Sequence, residues 1–270
     1  MKKTFARLVA VAALAIVASA ALFLGCERRG GRPDVLRVGA TPVPHAELLA
    51  LIVDDMAERG FTLQVVPFTD FITPNIALMD GSVDANFFQH LPFLQSNEDW
   101  SARLAPVFGV HVEPFGLYSR RFNAIDELPH GASIAIPNDP TNGGRALLLL
   151  QARGLITLGE GAGLLATPRD IVGNPRGFVF HELEAAQLPR ALDDVDAATI
   201  NGNFAMQAGM NPQRDALIIE DADSPYVNIV AVQRGFEGDP RILALREALL
   251  SPRVREFIQT RYDGGVVAVF

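Results

Sequence analysis

The residues best equipped for chemistry gather around one stretch, "AIPNDPTNGGRALLLL", at 135–150. An arginine guanidinium can hold a carboxylate through two parallel hydrogen bonds. Arg145 stands behind a glycine pair, Gly143 and Gly144, which begins a helix-like apolar run and would let a visitor approach the backbone closely. On this reading Arg145 lies in the first helical turn, where unpaired backbone N–H groups also favour an anion. A positive charge there opposes the helix dipole. The position therefore asks for a negative partner: a bound anion, or an acid of the chain such as Asp139.

Asparagine amides offer donors and acceptors without charge, which suits a zwitterion. Asn138, Asn142, Asn201, Asn203 and Asn228 fall at expected strand ends or crossings. Any one of them also suits a turn, and it is their convergence, above all of Asn142, Asn201 and Asn228, that points to a ligand. Phe68, Phe71, Phe87, Phe88, Phe93, Phe115 and Phe204 crowd the same segments. Most must be core, while some can line an apolar slot that a thioether would fill well.

Other chemistries find less support. His90, and the pair His111/Glu113 on one face of a strand, invite a metal reading. There is no HExxH spacing and no cysteine to join them, so no metal and no cofactor are expected. No GxSxG elbow marks a hydrolase. The only lysines are Lys2 and Lys3, and Cys26 is the only cysteine. A chain without lysine beyond its first residues has no Schiff base and no P-loop cation.

These residues need elements to position them. "VLRVGAT" (35–41), "FTLQVVPF" (61–68), "VDANFFQ" (83–89), "GASIAIP" (131–137) and "GFVFHELE" (177–184) read as strands, as does the start of "VDAATINGNFAMQAG" (195–209). Between them "HAELLALIVDDMAERG" (45–60), "FITPNIALMDG" (71–81) and "AAQLPRALDDV" (185–195) read as helices, and "PRILALREALLSPRVREFIQTRY" (240–262) as a terminal pair broken at Pro252. Such alternation argues for an α/β fold of parallel βαβ units. Two extended crossings, near 112–119 and 224–230, divide the chain so that its outer parts form one lobe and its middle a second. Ligand sites in such sheets lie beyond the carboxyl ends of strands, where "IAIPNDPTN" and "AATINGN" both place polar residues.

The first residues read as an address. Lys2, Lys3 and Arg7 precede a charge-free apolar run from Leu8 to Leu24, closed by Gly25-Cys26. The run is short for a membrane span and rich in small residues, as in a secretory signal. Cys26 directly after it resembles the lipobox of bacterial lipoproteins, with Phe23 in the usual leucine position; cysteine is then lipidated and becomes the mature N-terminus. "ERRGGRPD" (27–34) reads as a flexible tether. Three of the 23 basic residues precede Cys26, against 31 acidic ones, so the mature chain carries a formal charge of −11. No basic patch for nucleic acid is expected.

Taken in order, "GATPVPHAELL", "DANFFQHLPFL", "HVEPFGLYS", "IAIPNDPTNGGRALLLLQARGLI", "INGNFA" and "SPYVNIVAV" resemble the signature blocks of the NlpA-type lipoproteins, the substrate-binding proteins of methionine ABC importers. The resemblance runs from about Arg37 to the C-terminus. It implies a two-lobed periplasmic-binding-protein fold (type II-like) with two crossover strands and an interlobe cleft: lobe I from 35–113 plus 228–270, lobe II from 114–227. It implies that Arg145, helped by Asn142, clamps the carboxylate of L-methionine. Asn201 and Asn228 bond the polar end, while Phe71, Phe88, His90 and Phe93 surround the thioether, with His111 approaching the same slot. A lipid-anchored, non-enzymatic monomer in the cell envelope would hand its ligand to an ABC permease driven by a separate ATPase. The family often has tyrosine where this chain has Phe71, Phe93 and Phe204, which makes the slot more apolar. D-methionine, a methionine-containing dipeptide and another apolar amino acid are the alternative ligands; a metal-binding or adhesive surface lipoprotein is the alternative role.

Overall fold

The computed structural model describes residues 34–221 and 224–270. The expected signal, Cys26 and the tether up to Pro33 lie outside the described residues.

The chain builds one sheet, leaves it for a second, and returns. Strands β1 (Val35–Ala40), β2 (Thr62–Pro67), β3 (Ala85–His90) and β4 (Leu104–Val112) form the first, and β12 (Asn228–Gln233) and β13 (Val267–Ala268) complete it in the order β13-β4-β12-β3-β1-β2. The second holds β5 (Gly116–Tyr118), β6 (Ser133–Pro137), β9 (Val179–Leu183), β10 (Ala197–Ile200) and β11 (Ile218–Ile219), in the order β11-β5-β10-β6-β9. A short hairpin, β7 (Thr157–Leu158) with β8 (Ile171–Gly173), stands apart.

The expectation of parallel units holds for β1 with β2 and β3, and for β6 with β9 and β10. It fails where the chain changes sheets. β12 runs antiparallel to both β3 and β4, and β5 runs antiparallel to β10 and β11. A strand that re-enters from the other lobe arrives at the edge where parallel strands end, so it must run backwards. That reversal places Asn228, the first residue of β12, opposite His90 at the end of β3 and opposite His111 on β4.

The apolar pattern explains the layers. Leu36, Val38, Phe87, Val110 and Val230 from the strands meet Leu48, Leu49, Leu245 and Ile258 from helices in one core of the first sheet. Ile134, Ile136, Leu147 and Leu150 centre that of the second. The expected helix at 45–60 is interrupted: Glu47–Leu51 and Val53–Glu58 are separate turns, because Ile52 leaves helical geometry at φ −106°, ψ 10°. The terminal pair forms as read, Pro240–Leu249 and Pro252–Arg261. No helix among the described residues is long and apolar enough to cross a membrane.

β3 is buried along its whole length although it carries Asn86, Gln89 and His90. Buried amides must be hydrogen-bonded. Asn75, on the helix Thr73–Met79, meets this need by donating to Gln89 Oε1 at 2.9 Å and accepting from Asn86 and Gln89, both at 2.8 Å. The network pins that helix to the strand whose end carries His90.

Candidate functional site

The 13-residue helix Pro140–Ala152 follows β6 and governs the site. Its start differs from the sequence reading. Asp139 is the N-cap, its side chain accepting from Asn142 N at 2.9 Å, and Pro140 takes the first helical position, where its missing N–H costs nothing. Arg145 is therefore in the second turn, and Gly143 and Gly144 lie inside the helix. The glycines serve a different approach from the one expected. A Cβ on Gly144 would stand 2.2 Å from the carbonyl oxygen of Leu164, and one on Gly143 2.9 Å from that of Pro137. They let the chain's own backbone come close.

Arg145 is 4 % exposed. Its Nε donates to Glu220 at 3.0 and 3.2 Å, and its Nη2 donates to Glu220 and, at 3.0 Å, to the backbone carbonyl of Glu113. The rings of Phe115 and Tyr226 cover the guanidinium, at 5.0 and 4.1 Å from their centroids. The negative partner sought in Asp139 is Glu220; Asp139 instead holds the Asn142 amide, at 3.0 Å from each carboxylate oxygen.

A small cavity opens against this helix. Of the residues expected at the site, Arg145, Asn142, Asn201, Asn228, His90, Phe71, Phe88 and Phe93 all line it. His111 does not. It is fully buried one residue behind the wall and reaches the cavity only through Glu113, its Nε2 lying 2.9 Å from the carboxylate. Gln89, Glu113, Gly202 and Asn203 complete the lining. Gly202 is required there, since a Cβ would fall 2.8 Å from Glu113 Cβ.

The polar atoms divide into those already engaged and those not. Asn142 Oδ1 accepts from Asn201 Nδ2 at 2.9 Å and faces His90 Nε2 at 3.1 Å, so Asn142 is committed to orienting its neighbours. His90 Nδ1 accepts from Phe93 N at 3.1 Å, which makes His90 the cap of the short helix Leu91–Gln95 and fixes its ring as a wall. Asn201 Oδ1 and Asn203 Nδ2, by contrast, are buried without a partner among the described residues. Unpaired buried polar atoms are rare in native folds. Here an acceptor and a donor stand in one cavity wall, beside Arg145. At the other end Phe71 packs near Phe88 (6.0 Å), Phe93 (5.9 Å) and Phe204 (4.8 Å), an apolar pocket with no hydroxyl.

Behind the wall sits a buried polar cluster. His45 Nδ1 meets Thr41 Oγ1 at 2.8 Å, and its Nε2 meets Asn228 Oδ1 at 3.0 Å and Glu113 Oε1 at 3.3 Å. Sequence reading grouped His90 with His111 and Glu113 as potential metal ligands; the structure groups His45 with them instead, their ligating atoms within 4.8 Å. His111 Nε2 is hydrogen-bonded to the Glu113 carboxylate at 2.9 Å, while His45 Nε2, bonded to Asn228, lies 3.3 Å from the same oxygen. Burial lowers His111 to about 3 and His45 to about 4, the latter against the pull of Glu113. His90 falls to about 3 through burial and the charge of Arg145. All three rings are thus neutral near pH 7. Burial raises the Glu113 carboxyl, opposed by His45, Arg145 and the Asn203 N–H.

The model of the family described as NlpA lipoprotein matches residues 36–270. The chain belongs to that family. It is 43 % identical over 238 residues to the membrane lipoprotein TpN32 of Treponema pallidum, covering 88 % of this chain and 89 % of that one. It is 39 % identical over 270 residues to the D-methionine-binding lipoprotein MetQ of Escherichia coli K12, covering 98 % and 97 %. Among solved structures, a nutrient-binding protein from Burkholderia cenocepacia bound to methionine superposes with a TM-score of 0.84 at 41 % identity, covering 87 % of this chain and all of that one. The two-lobed fold is shared.

Glu220 and His45 have the least visible signals in the sequence. Glu220 lies 75 residues from Arg145 and His45 183 from Asn228, so only the fold makes them neighbours. Asn203 had a local signal, two residues beyond Asn201 at the end of β10.

Proposed function

We propose that this NlpA-family lipoprotein captures methionine in the cavity and delivers it to the membrane permease of an ABC importer. The observation that carries the reading is the division of the cavity. Unpaired donors and acceptors stand with a buried arginine at one end, and phenylalanines enclose the other. A zwitterionic head with an apolar, thioether-bearing tail matches both ends, and the methionine-bound relative from Burkholderia cenocepacia supports it. The ligand carboxylate faces Arg145, Asn228 and the Asn203 amide. The ammonium faces Asn201 Oδ1 and Glu113, and the tail runs between Phe71, Phe88 and Phe93. Residues 35–113 with 228–270 act as one lobe and 114–227 as the other, closing on the ligand by rigid-body motion. Cys26 carries the lipid that keeps the domain at the outer face of the cytoplasmic membrane or in the periplasm. The ligand leaves unaltered, so no catalytic residue is assigned.

The test uses the full chain as cells process it, purified in mild detergent, stripped of ligand by unfolding and refolding. L-methionine, D-methionine, a methionine-containing dipeptide and the other apolar amino acids are titrated by calorimetry and thermal shift. Micromolar affinity corresponds to about −8 kcal/mol, and ligand at about a hundred times Kd should add about 2.7 kcal/mol of stability. Silence toward every methionine compound, with a response to another amino acid, would overturn the reading.

A further inference from the structure

The guanidinium of Arg145 is held so that its fork edge does not serve a ligand. Glu220 occupies Nε and Nη2 together, and the carbonyl of Glu113 takes the remaining Nη2 hydrogen. Nη1 is the guanidinium nitrogen with no hydrogen bond among the described residues. Glu220 does not line the cleft. It borders a separate cavity on the other side of Arg145, with Leu148 and Tyr226, and Ser224 Oγ donates to it at 3.3 Å. Whatever Glu220 does to a ligand, it does through Arg145.

We propose that Glu220 sets the charge selectivity of the cleft. By cancelling the charge of Arg145 from behind, it makes the site accept a net-neutral amino acid and turn away a plain carboxylate of the same skeleton. The proposal rests on the methionine reading and adds the origin of its discrimination. The ionisable side chains at the polar end are Arg145, Glu220, Glu113 and His90, with His45 and His111 behind Glu113, and the three histidines are neutral. One cation is set against the carboxylate of Glu220 paired with it, and the buried Glu113 carboxyl stands in the cleft wall. A bare anion meets a site with little positive charge to spare, because a pair at short range in a buried setting interacts strongly. A zwitterion brings its own positive end to Glu113 and Asn201.

Replacing Glu220 with Gln keeps the shape and one acceptor but removes a negative charge. For a zwitterion, the gain at its carboxylate and the loss at its ammonium largely offset each other. For an anion only the gain remains. The affinities of L-methionine and of 4-(methylthio)butanoate, which lacks only the amino group, are measured on wild type, Glu220→Gln and Glu220→Asp by calorimetry in detergent. Wild type should prefer methionine by at least about tenfold, equivalent to ~1.4 kcal/mol. Glu220→Gln should narrow that ratio by about tenfold through tighter binding of the anion. Glu220→Asp keeps the charge with a shorter reach and should leave the ratio near that of wild type. A wild-type ratio below about threefold overturns the proposal whether or not the variants fold. So does an unchanged ratio in Glu220→Gln with both ligands weakened alike, or a Glu220→Asp ratio that moves as far as that of Gln. If wild type binds neither compound, the methionine reading has failed; if it binds methionine and only the ratio test fails, the role of Glu220 alone is wrong.

Discussion

Gly144→Ala separates two explanations of the glycine pair. A Cβ at this position lies 2.2 Å from the Leu164 carbonyl oxygen, 2.7 Å from its carbon and 3.0 Å from Ala166 N. Unstrained heavy-atom contacts sit near 3.5–4.0 Å, so the new methyl overlaps backbone by more than about 1 Å. Neither the helix nor the loop at Leu164 can yield by rotating a side chain, because the obstacle is main chain. Overpacking of this kind costs about 1–3 kcal/mol, while alanine in place of glycine in a helix interior returns about 0.8–1 kcal/mol. A backbone clash this short belongs at the upper end, leaving a net loss of about 2 kcal/mol, or about 4–8 °C in Tm for a domain of this size. Thermal unfolding of Gly144→Ala beside wild type, without ligand and then with methionine, reads the result. A Tm raised by the helix-propensity gain, together with weakened methionine binding, would show that the glycine exists for ligand approach and that the packing explanation is wrong.

Arg145→Lys should lower methionine affinity at least about a hundredfold while the protein stays folded, since a point charge can meet Glu220 but cannot keep the planar fork or the stack between Phe115 and Tyr226; near-wild-type affinity by calorimetry would show that charge alone suffices. Stability should fall on mild acidification. His45, His90 and His111 have folded values of about 4, 3 and 3 against 6.5 when unfolded, so between pH 6.5 and about 4 the unfolded chain binds more protons than the folded one. At pH 5 each histidine then withdraws about 2 kcal/mol relative to pH 7. Glu113, raised by burial, contributes with the opposite sign, its stabilisation being greatest in acid and lost as pH rises through its folded value. A Tm unchanged between pH 7 and pH 5 would refute the claim that the rings are held neutral.

Much of the fold was legible because its signals are local. The strands at 35–41, 61–68 and 83–89 and the paired terminal helices appear within a residue or two of their expected bounds. Side-chain periodicity and proline starts act over a few residues, and the backbone answers to them directly. The break at Ile52 was not legible, since an apolar residue of ordinary helix propensity sits there. The direction of β12 was not legible either. It depends on the returning chain filling the slot between β3 and β4 from their carboxyl ends, and no short-range pattern encodes that.

The amino-acid sequence by itself determined which side chains are available to a site. An arginine, three asparagines and a set of phenylalanines point, by residue type, to a small zwitterion with an apolar tail. The tertiary structure decided how those residues are used. It moved Arg145 from the first helical turn to the second and put the glycines against Leu164 and Pro137. It spent the hydrogen bonds of Asn142 on Asp139, His90 and Asn201, and set His111 behind Glu113. Above all, it brought Glu220 to the fork of Arg145. Residue type fixes which interactions a side chain can make, but a buried charge must be matched by whichever opposite charge the topology brings within reach. Here that partner lies 75 residues away.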